Sequence, residues 1–150
     1  MRFITVIVIS ILFCSCVSHV SKEAAAYNGF SRFMEDFKEA VRNEDRDAIL
    51  PLMASKVQLQ NISDNYLPKE EAVKKIDFKL FNRLLQKGYD IHNLGTRMDG
   101  FSPPYKLGIL KYRLYFAIFL DKKMRKQQKL DKGWRFRLLV IDHRADKADK

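Results

Sequence analysis

Cysteine is nearly absent from this chain of 150 residues, and the two it has, Cys14 and Cys16, both fall within the first sixteen positions. Beyond Cys16 there is no thiol, so the body has no disulfide framework, no cysteine nucleophile and no thiolate-based zinc site. Histidine is also scarce. The three present, His19, His92 and His143, are too widely spaced to suggest a metal site. Glycine-rich phosphate cradles are missing, because LGTRMDG carries two glycines without the lysine and the helix that such a loop requires. No serine stands in a nucleophile-elbow pattern. The N-terminal apolar run, Phe3 to Phe13, is eleven residues long, well short of the roughly 20 needed to span a bilayer.

That run has the length of a signal-peptide core, and Met1 and Arg2 precede it as a short positive region. The chain turns polar at Ser18, His19, Ser21 and Lys22. The end of the run resembles a bacterial lipoprotein signal, in which a small residue precedes a cysteine that receives diacylglycerol; here Ser15 precedes Cys16. The resemblance implies lipidation at Cys16 and loss of Cys14 with the leader. Conventional cleavage just after Cys16 is the alternative. A disulfide between cysteines two residues apart would be badly strained. The expected organisation is a signal peptide over 1–15, a tether over 16–28, one domain over 29–144 and a frayed tail over 145–150. The protein is thus expected outside the cytoplasm, held to a membrane of the bacterial envelope and facing the periplasm or the cell surface.

Charge is unevenly placed. From Val17 to Tyr105 there are 13 basic and 13 acidic residues, whereas Lys106 to Lys150 carries 14 basic against 5 acidic. Most of that excess lies in DKKMRKQQKLDKGWRFR, Asp121 to Arg137, with eight basic and two acidic residues. Charge runs most often serve solubility. Lys122, Lys123, Arg125 and Lys126 are nonetheless candidates for contact with an anionic surface. Nucleic acid is not an expected partner for an exported chain.

At this length, with 47% apolar residues, a single core is expected. FSRFMEDFKEAVRNED places Phe30, Phe33, Met34, Phe37 and Val41 on one helical stripe. Asp45 is a natural cap for a short helix, RDAILPLMA, limited by Pro51. KVQLQNI alternates as a half-buried strand with Val57 and Leu59 inward. PKEEAVKKIDFKLFNRLLQKG reads as one long helix from Pro68 to the Gly88 stop, burying Val73, Ile76, Leu80, Phe81, Leu84 and Leu85. The stretch YDIHNLGTRMDGFSPPY reads mainly as connection, with a short strand near Ile91. LGILKYRLYFAIFL is a strand with Tyr112, Leu114, Phe116, Ile118 and Leu120 on one face. KKMRKQQKL reads as a polar returning strand. WRFRLLVIDH is the last strand, with Phe136, Leu138 and Val140 inward.

FSRFMEDFKEAVRNEDRDAILPLM resembles the opening helix pair of the nuclear transport factor 2-like superfamily, which includes the SnoaL-like and ketosteroid-isomerase-like domains, and KGWRFRLLVID resembles its last strand. The resemblance implies an α+β cystatin-like roll, N-terminal helices packed on a curved antiparallel sheet around a cone-shaped cavity. Members variously bind apolar ligands, catalyse isomerisation or hydrolysis, or mediate assembly. Tyr112, Tyr115 and Asp142 are candidates to line such a cavity, since an isomerase-like site needs a carboxylate base and a tyrosine donor. Tyrosines alternating with leucine and phenylalanine more often serve a core. No cofactor is expected. The function expected is a non-enzymatic binding or interaction module, meeting an envelope protein or an apolar ligand and with a homodimer through the sheet as one option; an isomerase-like or hydrolase-like enzyme is the alternative.

Overall fold

The computed structural model describes residues 25–86, 88–127 and 133–142. Cys14, Cys16 and His143, together with most of the expected leader and tether, lie outside the described residues. Helix α1 is described over 25–42, and the helical state of 25–28 corrects the expectation that the tether extends to residue 28. Its stripe is as the spacing predicts: Phe30, Phe33, Met34, Phe37 and Val41 are buried. The helix ends in a Schellman turn, in which Asp45 N–H donates to the Ala40 carbonyl at 2.9 Å and Glu44 N–H to that of Val41 at 3.2 Å. Glu44 occupies the left-handed position usually given to glycine, with φ of 54°. Asp45 then caps α2 (Arg46–Ile49), its Oδ1 accepting from Ala48 N–H at 2.9 Å, and Pro51 sits in the 3-10 turn Leu50–Leu52 that follows.

The expected long helix is broken in two. α3 (Lys69–Ala72) passes through a 3-10 turn, Val73–Lys75, and the chain is extended at Ile76 before α4 (Phe78–Leu85). Asp77 causes the break, because its Oδ1 accepts the Leu80 N–H at 3.1 Å and so caps a new helix. The interruption keeps the apolar set together, since Val73, Ile76, Phe78, Leu80, Phe81, Leu84 and Leu85 are all buried.

The strands are β1 (Met53–Leu59), β2 (Tyr66–Pro68), β3 (Asp90–Asn93), β4 (Arg97–Phe101), β5 (Tyr105–Leu107), β6 (Leu110–Phe119) and β7 (Arg135–Asp142). They form one sheet in the order β2-β1-β7-β6-β4-β3, with β5 also on β6. All pairs are antiparallel except β1 with β7. The α+β class expected from the sequence is therefore present, with helices on one face of a mainly antiparallel sheet.

Three segments differ from expectation. Residues 89–105, expected to be mainly connection with a short strand near Ile91, contain a full hairpin of β3 and β4 and end at Tyr105, the first residue of β5. KKMRKQQKL does not return as a strand over its described residues: Lys122–Gln127 is helix α5, consistent with the low strand propensity of lysine and glutamine. In β7, Tyr115 pairs with Leu138 but Phe116 pairs with Phe136, which leaves Arg137 as an extra residue. This bulge shifts the alternation by one position. Leu139 and Ile141, rather than the expected Leu138 and Val140, follow Phe136 onto the core face.

Candidate functional site

The space between helices and sheet, where a cavity is expected from the sequence, is occupied by aromatic rings. Phe30 lies 4.3 Å from Trp134 and 4.7 Å from Tyr89 between ring centres. Phe37 reaches Phe116 at 5.3 Å, and Phe81 reaches Phe136 at the same distance. These rings interlock in edge-to-face and tilted pairs. Trp134 Nε1 donates to the Ala26 carbonyl at 2.8 Å, tying the start of α1 to the residue before β7. Gly100 sits on β4 beneath Phe30, where a β-carbon would lie only 2.8 Å from Cζ. Glycine is required there to let the ring approach the sheet.

The two candidate cavity tyrosines lie on opposite faces of the sheet. Tyr112 is on the core face with Leu114 and Phe116, whereas Tyr115 is on the opposite face. Asp142 pairs with Lys111 at the far end of β6, and its side chain is outside the described set. Lys122, Lys123 and Lys126 are exposed on α5, with Arg125 partly so.

The outer face of the sheet holds a polar cluster that the sequence-based expectation missed. Directly paired residues share a face, so Arg97, Asp99 and Phe101 of β4 lie with Phe119, Ala117 and Tyr115 of β6. Asp99 is only 4% exposed although it points away from the helices. Tyr115 Oη donates to its Oδ1 at 2.8 Å. Arg97 Nη2 donates to its Oδ2 at 3.0 Å, while Nε lies 2.8 Å from Oδ1, close enough to pair charges but off the line of a hydrogen bond. Burial pushes the Tyr115 hydroxyl above its ordinary range; the bond to Asp99 and that carboxylate's charge push it further, and Arg97 and Arg137 pull it partly back. The hydroxyl is thus a committed donor. The only sequence signal was Arg97-x-Asp99-x-Phe101, whose alternation becomes meaningful once 97–101 is known to be a strand.

Around this cluster the outer face is cationic and aromatic. Arg113 and Arg135 join it through their pairing with Val140 and Ala117, and the Arg137 guanidinium stacks 4.8 Å from the Phe119 ring centre. Where β6 ends, a groove of about 490 Å³ opens between Ala25 and Ala26 of α1, Ile118 and Leu120, and Lys122 and Arg125 of α5. Chemically, an embedded carboxylate clamped by a guanidinium and a phenol is a structural ion pair: Asp99 has no open side from which to take a substrate proton. Among the described residues no cluster of three or more histidine, cysteine or acidic side chains could hold a metal ion, and no helix is long and apolar enough to cross a membrane.

No family model matches the chain, and no curated protein does. Among solved structures, the chain is similar to one titled Rd1NTF2_05, a variant with five substitutions, at 12% identity and a TM-score of 0.43. The alignment covers 77% of this chain and 99% of that one.

Proposed function

We propose that this is a lipid-anchored, exported envelope protein of the nuclear transport factor 2-like kind, acting as a non-enzymatic interaction module for an envelope protein. One observation carries the non-enzymatic part. The interior that would house a substrate is filled by Phe30, Phe37, Phe81, Phe116 and Phe136, each fully buried, and the tyrosine–carboxylate pair found among the described residues, Tyr115 with Asp99, lies on the outer face, where Arg97 neutralises it. Ligand sites are usually pockets of about 300–1,000 Å³ with convergent polar groups; the groove of about 490 Å³ lies at the end of β6, beside Lys122 and Arg125, and not among these rings. The outer face, with Arg113, Arg135 and Arg137 beside Phe101 and Phe119, has the arginine–aromatic composition enriched at protein interfaces.

Anchoring and binding are tested together on the membrane fraction of cells making the native chain or a Cys16→Ser variant. The native protein is expected to carry acyl mass and the variant none; a native mass without acyl chains overturns the anchor. From the same solubilised fraction, the chain is expected to capture an envelope protein, and an Arg113→Glu/Arg135→Glu variant to lose it with unchanged melting temperature. Capture undiminished by the two reversals overturns the assignment of the outer face.

A further inference from the structure

One end of the domain gathers three features that sequence separation hides. The first is the start of the described chain, since Ala25 and Ala26 line the groove beside Lys122 and Arg125. The second is α5, where Lys122, Arg125 and Lys126 follow an i, i+3, i+4 spacing and so share a helix face, with Lys123 exposed next to them. The third is Leu94, 55% exposed at the tip of the β3–β4 hairpin. That tip is fastened to the start of α5: the Thr96 carbonyl accepts from Leu120 N–H at 2.8 Å and from Asp121 N–H at 3.4 Å. The turn itself is closed by Asn93 Oδ1, which accepts from Gly95 N–H at 2.8 Å. An exposed leucine therefore sits on a hairpin fastened to the start of the helix that carries four basic residues, and Asp121 at that start is the acidic residue among the described residues 120–127.

We infer that this end is a second membrane contact, in which α5 meets anionic lipid headgroups and Leu94 reaches the interface between headgroups and acyl chains. The inference rests on the lipid-anchor reading for its placement. Cys16 precedes Ala25 by nine residues, and nine residues of chain reach at most about 30 Å. A lipid on Cys16 keeps α5 within that distance of the bilayer. Two acyl chains on Cys16 would already hold the chain at the bilayer, so a basic patch beside the tether would set which face of the domain meets the surface. Charge decides the occupant: lysine and arginine near an anionic leaflet are attracted within about a Debye length, roughly 10 Å at 0.1 M salt. The opposite end of β6 exposes Leu107 and Ile109 on its hairpin with two basic neighbours, the paired Lys106 and Lys111, against four basic residues on the six-residue α5, so the denser positive charge marks the α5 end as the membrane-facing one.

The test mixes the purified native chain with vesicles of phosphatidylcholine alone or with about a third phosphatidylglycerol, and labels amines with an acylating reagent read by peptide mass spectrometry. Labelling of Lys122, Lys123 and Lys126 is expected to fall about threefold or more in the anionic vesicles and to recover in 0.5 M salt, with Lys106 unchanged. Replacing Leu94→Ser is expected to reduce the protection without altering the fold, since the side chain is exposed. Equal labelling in the two vesicle types overturns the inference, as does protection that persists in high salt. The contrast depends on lipid charge and not on how the N-terminus is held, so a chain found without acyl mass would refute the anchor while leaving this readout independently decisive.

Discussion

Gly100→Ala isolates the closest approach in the core. An added β-carbon would stand 2.8 Å from Phe30 Cζ and 2.9 Å from Cε2, inside van der Waals contact. The ring cannot swing aside cheaply: Phe30 has no exposed surface and is held against Trp134 at 4.3 Å and Tyr89 at 4.7 Å. Overpacking of this kind costs about 1–3 kcal/mol. Alanine also stiffens the unfolded chain and returns up to about 1 kcal/mol, so the expected net loss is about 1–2 kcal/mol. With a urea slope of about 1.5 kcal/mol/M, the unfolding midpoint is expected to fall by about 1 M with the slope unchanged. The Phe30→Leu background supplies the control, because leucine lacks the Cε and Cζ atoms that clash. There Gly100→Ala is expected to be neutral or mildly stabilising, giving a coupling of about 1–3 kcal/mol between the two sites. A Gly100→Ala protein as stable as the parent, or the same penalty in both backgrounds, would refute the close-approach argument.

Two further perturbations address the helix break and the outer-face cluster. Asp77→Ala removes the side chain that accepts from Leu80 N–H, and a loss of about 1 kcal/mol in chemical unfolding is expected; a neutral result would mean that packing alone ends the preceding segment. Tyr115→Phe deprives the buried Asp99 of one donor, which is expected to cost about 1–3 kcal/mol near neutrality. Its pH dependence is the sharper check. The folded state holds the Tyr115 proton more tightly than an unfolded chain, whose tyrosine titrates near 10.0. Stability from this group is therefore complete below pH 10 and lost as pH rises above it. The parent is expected to lose stability above pH 10 more steeply than the Phe variant, as measured by urea midpoints from pH 8 to 11.

Short-range pattern made much of the fold legible. The α1 stripe, the Asp45 cap with Pro51, the inward positions Val57 and Leu59, and the apolar face of β6 were each visible because a 3.6- or 2-residue period needs only neighbours along the chain. Where two local signals competed, the sequence was ambiguous. The stretch from Lys69 to Leu85 carries both a continuous helical stripe and a capping aspartate, and the cap prevailed because the buried set survives the break. The basic run was similarly open: its charges were visible, but that Lys122–Gln127 is helical and sits beside Ala25 was not.

By itself, then, the sequence determined the α+β class, most of the core side chains, the absence of a thiol from the body and the concentration of positive charge in the last third. Tertiary structure alone decided which strands meet and on which face. The parallel pairing of β1 with β7 joins residues some 80 positions apart. The bulge at Arg137 exchanges Leu138 for Leu139 in the core. The Asp99–Tyr115 bond exists only because β4 and β6 pair in a register that sets Phe101 opposite Tyr115 and Asp99 opposite Ala117. The physical reason is that period and propensity act over a few residues, whereas register is chosen by burial and hydrogen bonding summed over the whole sheet, and a one-residue change turns a strand's faces over.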